Sequence, residues 1–155
     1  MAGYQIADEP TPGTLAKFAV NPIFPFLAIM FGGVWIAWPW LAFNGIAIGS
    51  PTLRKELAWL GFGLLGLFVL ATGLLYLIGM GTLEGVGIQY AILCLTVGKL
   101  AAVYAVYVMQ SHTIQIYEYY GGVLRNGIIV IVVLLFVDRA LLFESMPALF
   151  ALVLS

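Results

Sequence analysis

From Phe24 to Ile48 the chain runs for twenty-five residues without one charged side chain. That stretch constrains the fold more than anything else here, because about 20 consecutive apolar residues are enough to cross the hydrocarbon of a bilayer as a helix. Three further stretches have the same character. One runs from Leu57 to Met80, one from Ile88 to Met109 with Lys99 inside it, and one from Ile128 to about residue 148 with Asp138, Arg139 and Glu144 inside it. Backbone exposed to lipid finds no water, so such segments must be helices or a closed barrel. Strict apolar–polar alternation is absent, which removes the barrel. The expected fold is all-α: an integral membrane bundle of four transmembrane helices over 24–48, 57–80, 88–109 and 128–148. Short loops join them, and a short polar N-terminal arm, residues 1–20, precedes the domain formed by 21–155.

Composition supports this solvent. Hydrophobic residues make up 63% of the chain and charged residues 8%, with a mean hydropathy of +1.09. A water-facing domain carries about a quarter charged residues. The net charge of −1 and the scatter of Lys17, Arg54, Lys55, Arg125 and Arg139 leave no clustered cations for a phosphate backbone, so nucleic acid is excluded. The single cysteine, Cys94, can form neither an intrachain disulfide nor a thiolate cage, and it reads as a small buried hydrophobe. The first twenty residues carry Asp8 and Glu9 where a cleaved leader would carry Lys or Arg, so they read as an arm extended around Pro10 and Pro12.

Glycines and prolines punctuate the helices. Asn44-Gly45 and Gly49-Ser50-Pro51 close the first, with Ser50 a good N-cap for the second. Pro39 should kink the first. Trp35, Trp38, Trp40 and Trp59 are expected to gather at one membrane interface. The glycines from Gly79 to Gly87 make a tight turn, so the second and third helices should be antiparallel neighbours. Gly121-Gly122 ends the polar and aromatic segment that follows the third. Small residues at helical spacing mark packing seams: Gly63, Gly66 and Gly73 on the second helix, and Gly98 and Ala102 on the third. Cation counts near the helix ends place both termini on the outer side, by three cations against two, with Lys17 assigned to the outer count; a bacterial cytoplasmic membrane is the favoured location.

Few residues invite chemistry. Lys99 sits mid-span, where a lysine costs about 2.5–3.5 kcal/mol on insertion scales. Depth matching across a helical hairpin brings Asp138 or Glu144 to its level, so an intramembrane ion pair of Lys99 with one of them is expected. The segment 110–122 is dense in polar and aromatic residues. There His112, Tyr117, Glu118 and Tyr120 are candidates for contact with the interface, a partner or lipid, on a third helix that either projects beyond the lipid or bends along it. No metal site is expected, since His112 and Glu118 are six apart and so on different faces. Glu56, at the start of the second helix, reads as an interfacial charge that complements the helix dipole. Gly61, Gly63 and Gly66 spell G-x-G-x-x-G, but inside an apolar span the letters mean packing. No GxSxG, HExxH, P-loop or CxxC is present, so an enzyme is disfavoured. No cofactor is encoded by this chain alone, and bound lipid is expected.

The functional expectation is a non-catalytic membrane subunit that assembles with other membrane subunits in a hetero-complex and stabilises it. The alternative is a small oligomeric transporter or channel component using Lys99 with Asp138 or Glu144. A third option is a quinone- or haem-binding anchor that works with another subunit.

Overall fold

The computed structural model describes residues 9–137 and 142–155. Among them the fold is all-α, with six helices: α1 (Ile23–Gly32), α2 (Val34–Ile48), α3 (Leu53–Gly79), α4 (Val86–Tyr119), α5 (Ile128–Leu135) and α6 (Ala148–Leu154). A 3-10 turn over Thr14–Phe18 precedes α1. Among the described residues only α3 and α4 are long and apolar enough to cross a membrane by length and composition, with mean hydropathies of 2.2 and 1.9 in their most apolar stretches.

The segment expected as one first span is not one helix. It breaks at Gly33, whose φ of +84° and ψ of −172° separate α1 from α2, and the chain then folds back. The backbone N–H of Val20, just ahead of α1, donates to Asn44 Oδ1 near the far end of α2 at 2.9 Å. That contact cannot form unless the two helices lie side by side as a hairpin. The physical reason is the glycine pair 32–33. Gly33 supplies a backbone conformation that side chains rarely adopt, and a Cβ on Gly32 would meet Ile36 and Leu134. Pro39 lies inside α2, which continues through it and through Asn44-Gly45 to Ile48. Trp38 is buried against Gly63 and Trp35 stands next to the hairpin tip, so the tryptophans do not form one interfacial group.

The turn after α2 follows its glycine. Gly49 adopts the left-handed conformation, φ +67°, ψ 48°, and Ser50 N returns to Gly45 O at 3.0 Å, closing the helix as a left-handed cap does. Helix α3 starts two residues later than Ser50-Pro51 suggests, with Thr52 at its N-cap. Helices α3 and α4 are antiparallel neighbours, as the tight turn between them requires. Glu56 meets Gln110 and Gly63 meets Ala102, so advance along one helix is retreat along the other. Helix α4 continues without a break to Tyr119 and stops before Gly121, φ +84°, so residues 110–119 extend it rather than bend away. At 1.5 Å per residue its 34 residues span about 51 Å.

The region expected as the fourth span also differs. Helix α5 runs alongside α1, with Gly127 against Phe24 and Leu134 against Gly32, and it ends after eight residues. Helix α6 enters from the end of the bundle where α3 and α4 are joined. Ala148 shares a groove with Leu75 and Ile78, Phe150 packs edge-on to Phe68 at 5.6 Å, and Leu154 reaches the hairpin tip at Gly33. The hairpin and α6 therefore approach from opposite ends and meet near the middle of α3 and α4.

The N-terminal arm docks at the end of the bundle carrying the α2–α3 turn. Thr11 N donates to Gly49 O at 3.1 Å, and Arg125 N donates to Ala19 O at 2.8 Å. Ala19, Ala47, Ile48 and Ile114 form a small core beneath the arm. The main core gathers Leu41, Trp38, Leu67, Val103 and Val106 where the hairpin packs on α3 and α4. The docked arm changes the charge tally, because Lys17 lies at the same end as Arg54, Lys55 and Arg125 rather than opposite them.

Candidate functional site

Glu56 is completely buried, and so in effect are Asn44 and Gln110. Sequence alone suggested an exposed interfacial charge. The reason for the difference is that the α1–α2 hairpin covers the first turn of α3 and brings polar partners with it. Gln110 Nε2 donates to Glu56 Oε2 at 2.8 Å and to Leu41 O at 2.7 Å. Its Oε1 accepts from Asn44 Nδ2 at 3.3 Å, and Asn44 Oδ1 accepts the Val20 N–H. Ser50 Oγ and Thr52 Oγ1 both donate to Glu56 Oε1, the latter at 2.7 Å, and Thr113 Oγ1 lies 3.4 Å from Ser50 Oγ.

Donor parity makes this network directional. Each amide has one acceptor oxygen and one NH2 group, and rotating Gln110 would set its oxygen against both the Leu41 carbonyl and the Glu56 carboxylate. The relay therefore runs from Val20 through Asn44 and Gln110 to Glu56, joining the arm, α2, α3 and α4. No cation pairs with Glu56 among the described residues. Gly45 makes room for the carboxylate, since a Cβ there would lie 2.5 Å from Glu56 Oε2 and 3.1 Å from Gln110 Nε2.

Three helical turns away on the same face of α4, Lys99 is also buried. Its Nζ donates to Leu152 O at 2.7 Å and to Ser155 O at 3.0 Å. The last carbonyls of a helix lack partners within it and carry the negative end of its dipole, so an ammonium at the end of α6 meets both needs. A cavity of about 390 Å³ lies beside it, lined by Ile29, Met30, Thr96, Lys99, Leu152 and Ser155 among others. Glu144 is exposed in the turn before α6, and Asp138 lies outside the described residues.

The other sequence candidates are dispersed. His112, Glu118 and Tyr120 are exposed along and just beyond the last turns of α4, and Tyr117 packs on Gly122. Gly63 takes Trp38 and Ala102 into close contact, whereas a Cβ on Gly66, Gly73 or Gly98 would meet nothing within 4 Å. Cys94, read as buried from sequence, is exposed, in an open groove between α3 and α4 that it lines with Val69, Leu70 and Gly73. Among the described residues no three His, Cys, Asp or Glu side chains could hold a metal ion together. Sequence reasoning missed Glu56, Gln110, Asn44, Ser50 and Thr113. A signal was available: Leu95, Lys99, Val103, Val106, Gln110 and Thr113 recur at three or four residues, the period of one helix face. Polar residues in phase with a buried stripe imply buried partners.

Compared with protein-family models, with curated proteins and with solved structures, the chain matches none.

Proposed function

We propose that the chain is an integral membrane protein and a non-catalytic subunit of a larger membrane complex. Helices α3 and α4 would cross the bilayer, while the α1–α2 hairpin and α6 would enter it from opposite sides. The observation that carries this reading is the outer surface of α3 and α4. Only 17% and 22% of their most apolar stretches are buried, and residues such as Phe62 and Val69 are more than 70% exposed. Apolar surface that large is rare on soluble monomers and natural in hydrocarbon. Lengths agree: the ten residues of α1 reach about 15 Å, half of a 30 Å hydrocarbon core. Backbone that turns back inside a bilayer is tolerated where protein covers it, and the hairpin tip is covered by Leu154 and Ser155.

The subunit role follows from the open positions on that surface. Helices in lipid associate where small residues let backbones approach, and Gly66, Gly73 and Gly98 face open space. The buried charges support the same role, since Glu56 and Lys99 are engaged in holding segments together. The test is the native particle, extracted gently and weighed, with its chains identified. A hetero-assembly is expected, and Gly66→Leu with Gly73→Leu should release this chain without lowering its own melting temperature. A particle made only of this chain would overturn the subunit reading. It would favour a transport component instead, a role suggested by discontinuous helices that converge at depth beside a cavity. In that case Lys99→Met should abolish flux while leaving the particle mass unchanged.

Sidedness follows from charge. Lys17, Arg54, Lys55 and Arg125 gather at the end where the arm docks, so the positive-inside rule turns that end toward the cytoplasm. In a Cys94→Ser background, Thr82→Cys should react with an impermeant thiol reagent added outside and Thr11→Cys should not. The reverse pattern would invert the orientation.

A further inference from the structure

We propose that Lys17, Phe18 and Arg125 form a binding site for the phosphate of an anionic glycerophospholipid. The inference rests on the membrane reading above and adds a lipid class and a place. Lys17 Nζ lies 5.2 Å and Arg125 Cζ 5.8 Å from the centroid of the Phe18 ring, so two cations share one aromatic face or straddle it. All three side chains are exposed. No carboxylate pairs with either cation among the described residues. Arg125 is held in place from two directions, its backbone N–H on Ala19 O and its Nε on Lys17 O at 2.8 Å. That leaves the terminal guanidinium nitrogens, the fork that suits phosphate oxygens, without a hydrogen-bond partner among the described residues.

Depth points to lipid as the source of that phosphate. The small core under the arm includes Ile114, fifteen residues along α4 from Lys99, or about 22 Å. With Lys99 near the middle, the arm then lies outside the hydrocarbon and at the headgroup layer, which ends roughly 20–22 Å from the bilayer centre. Exposed Leu15 and Phe18 are the apolar residues that a segment lying on lipid would turn inward, toward the acyl boundary. Basic residues at this level attract anionic lipid.

The experiment uses the full chain in neutral detergent, with phosphatidylglycerol or phosphatidylcholine added to the micelles, and reads lipid retention by native mass spectrometry and the melting temperature. Phosphatidylglycerol should be retained and raise the melting temperature, and phosphatidylcholine should not. Lys17→Gln with Arg125→Gln should weaken retention about thirty-fold, Lys17→Gln alone should weaken it about five-fold, and Arg54→Gln with Lys55→Gln should leave it near the original value. Because Arg125→Gln also loosens the arm, the Lys17→Gln result decides if the double variant does not fold. Equal loss in every variant would reduce the site to diffuse surface charge and overturn it. Equal retention of both lipids would overturn it as well, and so would a matching rise in melting temperature with inorganic phosphate alone. Failure of the membrane reading is separately visible, as release of the protein from membranes by alkaline carbonate.

Discussion

Replacing Glu56 by alanine is expected to cost about 3 kcal/mol of stability, whereas Glu56→Gln should cost about 1 kcal/mol. The asymmetry comes from the bonds left behind. Alanine removes the acceptor of three donors. Ser50 and Thr52, whose hydroxyls are 3.0 Å apart, can turn to one another, but one N–H of Gln110 is stranded in the interior. Glutamine retains an oxygen for Gln110, and its amide can donate to hydroxyls that rotate to accept. Unfolding of both variants in mixed micelles, followed by helix signal against denaturant, measures the difference. The alanine variant should also lose hydrogen-exchange protection at Val20, because the relay ends there. Equal stability of Glu56→Ala and the parent would show that the polar network does not hold the arm and hairpin to α3 and α4.

An even larger response is expected at Gly33. Alanine there must adopt a φ of +84° with extended ψ, a region costing on the order of 1–3 kcal/mol for residues with a Cβ. The new methyl would also lie 2.5 Å from Leu154 O and 2.6 Å from Ser155 C, so the end of α6 must move and Lys99 must give up carbonyls it now caps. Together these should cost about 4 kcal/mol or more. Gly66→Ala is the internal control. Its Cβ meets nothing within 4 Å, and alanine is the better helix former by about 1 kcal/mol, so that variant should be as stable as the parent or slightly more so. Comparable melting of the two variants would show that the hairpin tip and α6 are not in close contact.

Both effects occur where the expected four-span picture and the folded chain part company. A charge-free run of twenty-five residues satisfies the length of one crossing and equally that of a hairpin of two shorter helices. Hydropathy has no preference between them, because both bury the same side chains in the same solvent. The deciding residue, Gly33, resembles every other glycine in the stretch until the backbone assigns it a positive φ. Pro39 was the more conspicuous signal, yet α2 passes through it.

The sites divide the same way. Lys99 was legible because a cation inside an apolar run demands a partner, but that its described acceptors would be carbonyls ending α6 depended on where that helix comes to rest. Glu56 was illegible for the opposite reason. It stands at the edge of an apolar run, where charges are ordinary, and only the hairpin and the docked arm convert that edge into an interior. The other members of its network, Asn44, Ser50 and Gln110, are separated from one another by up to 66 residues, and no local pattern spans that distance.

What the chain by itself determined is its local chemistry: helices in place of strands, the apolar stretches that became α3 and α4 among the four expected to cross a membrane, their antiparallel pairing across a glycine turn, and a lysine that must be held. Those follow from side-chain transfer energies and backbone propensities, which act over a few residues and are written in order along the chain. Only the tertiary structure decided that the first apolar stretch folds back, that α6 ends against its tip, and that Lys17 joins the other cations on one side. Each of these depends on which distant surfaces meet, and the free energy of such a meeting is a property of the pair rather than of either segment.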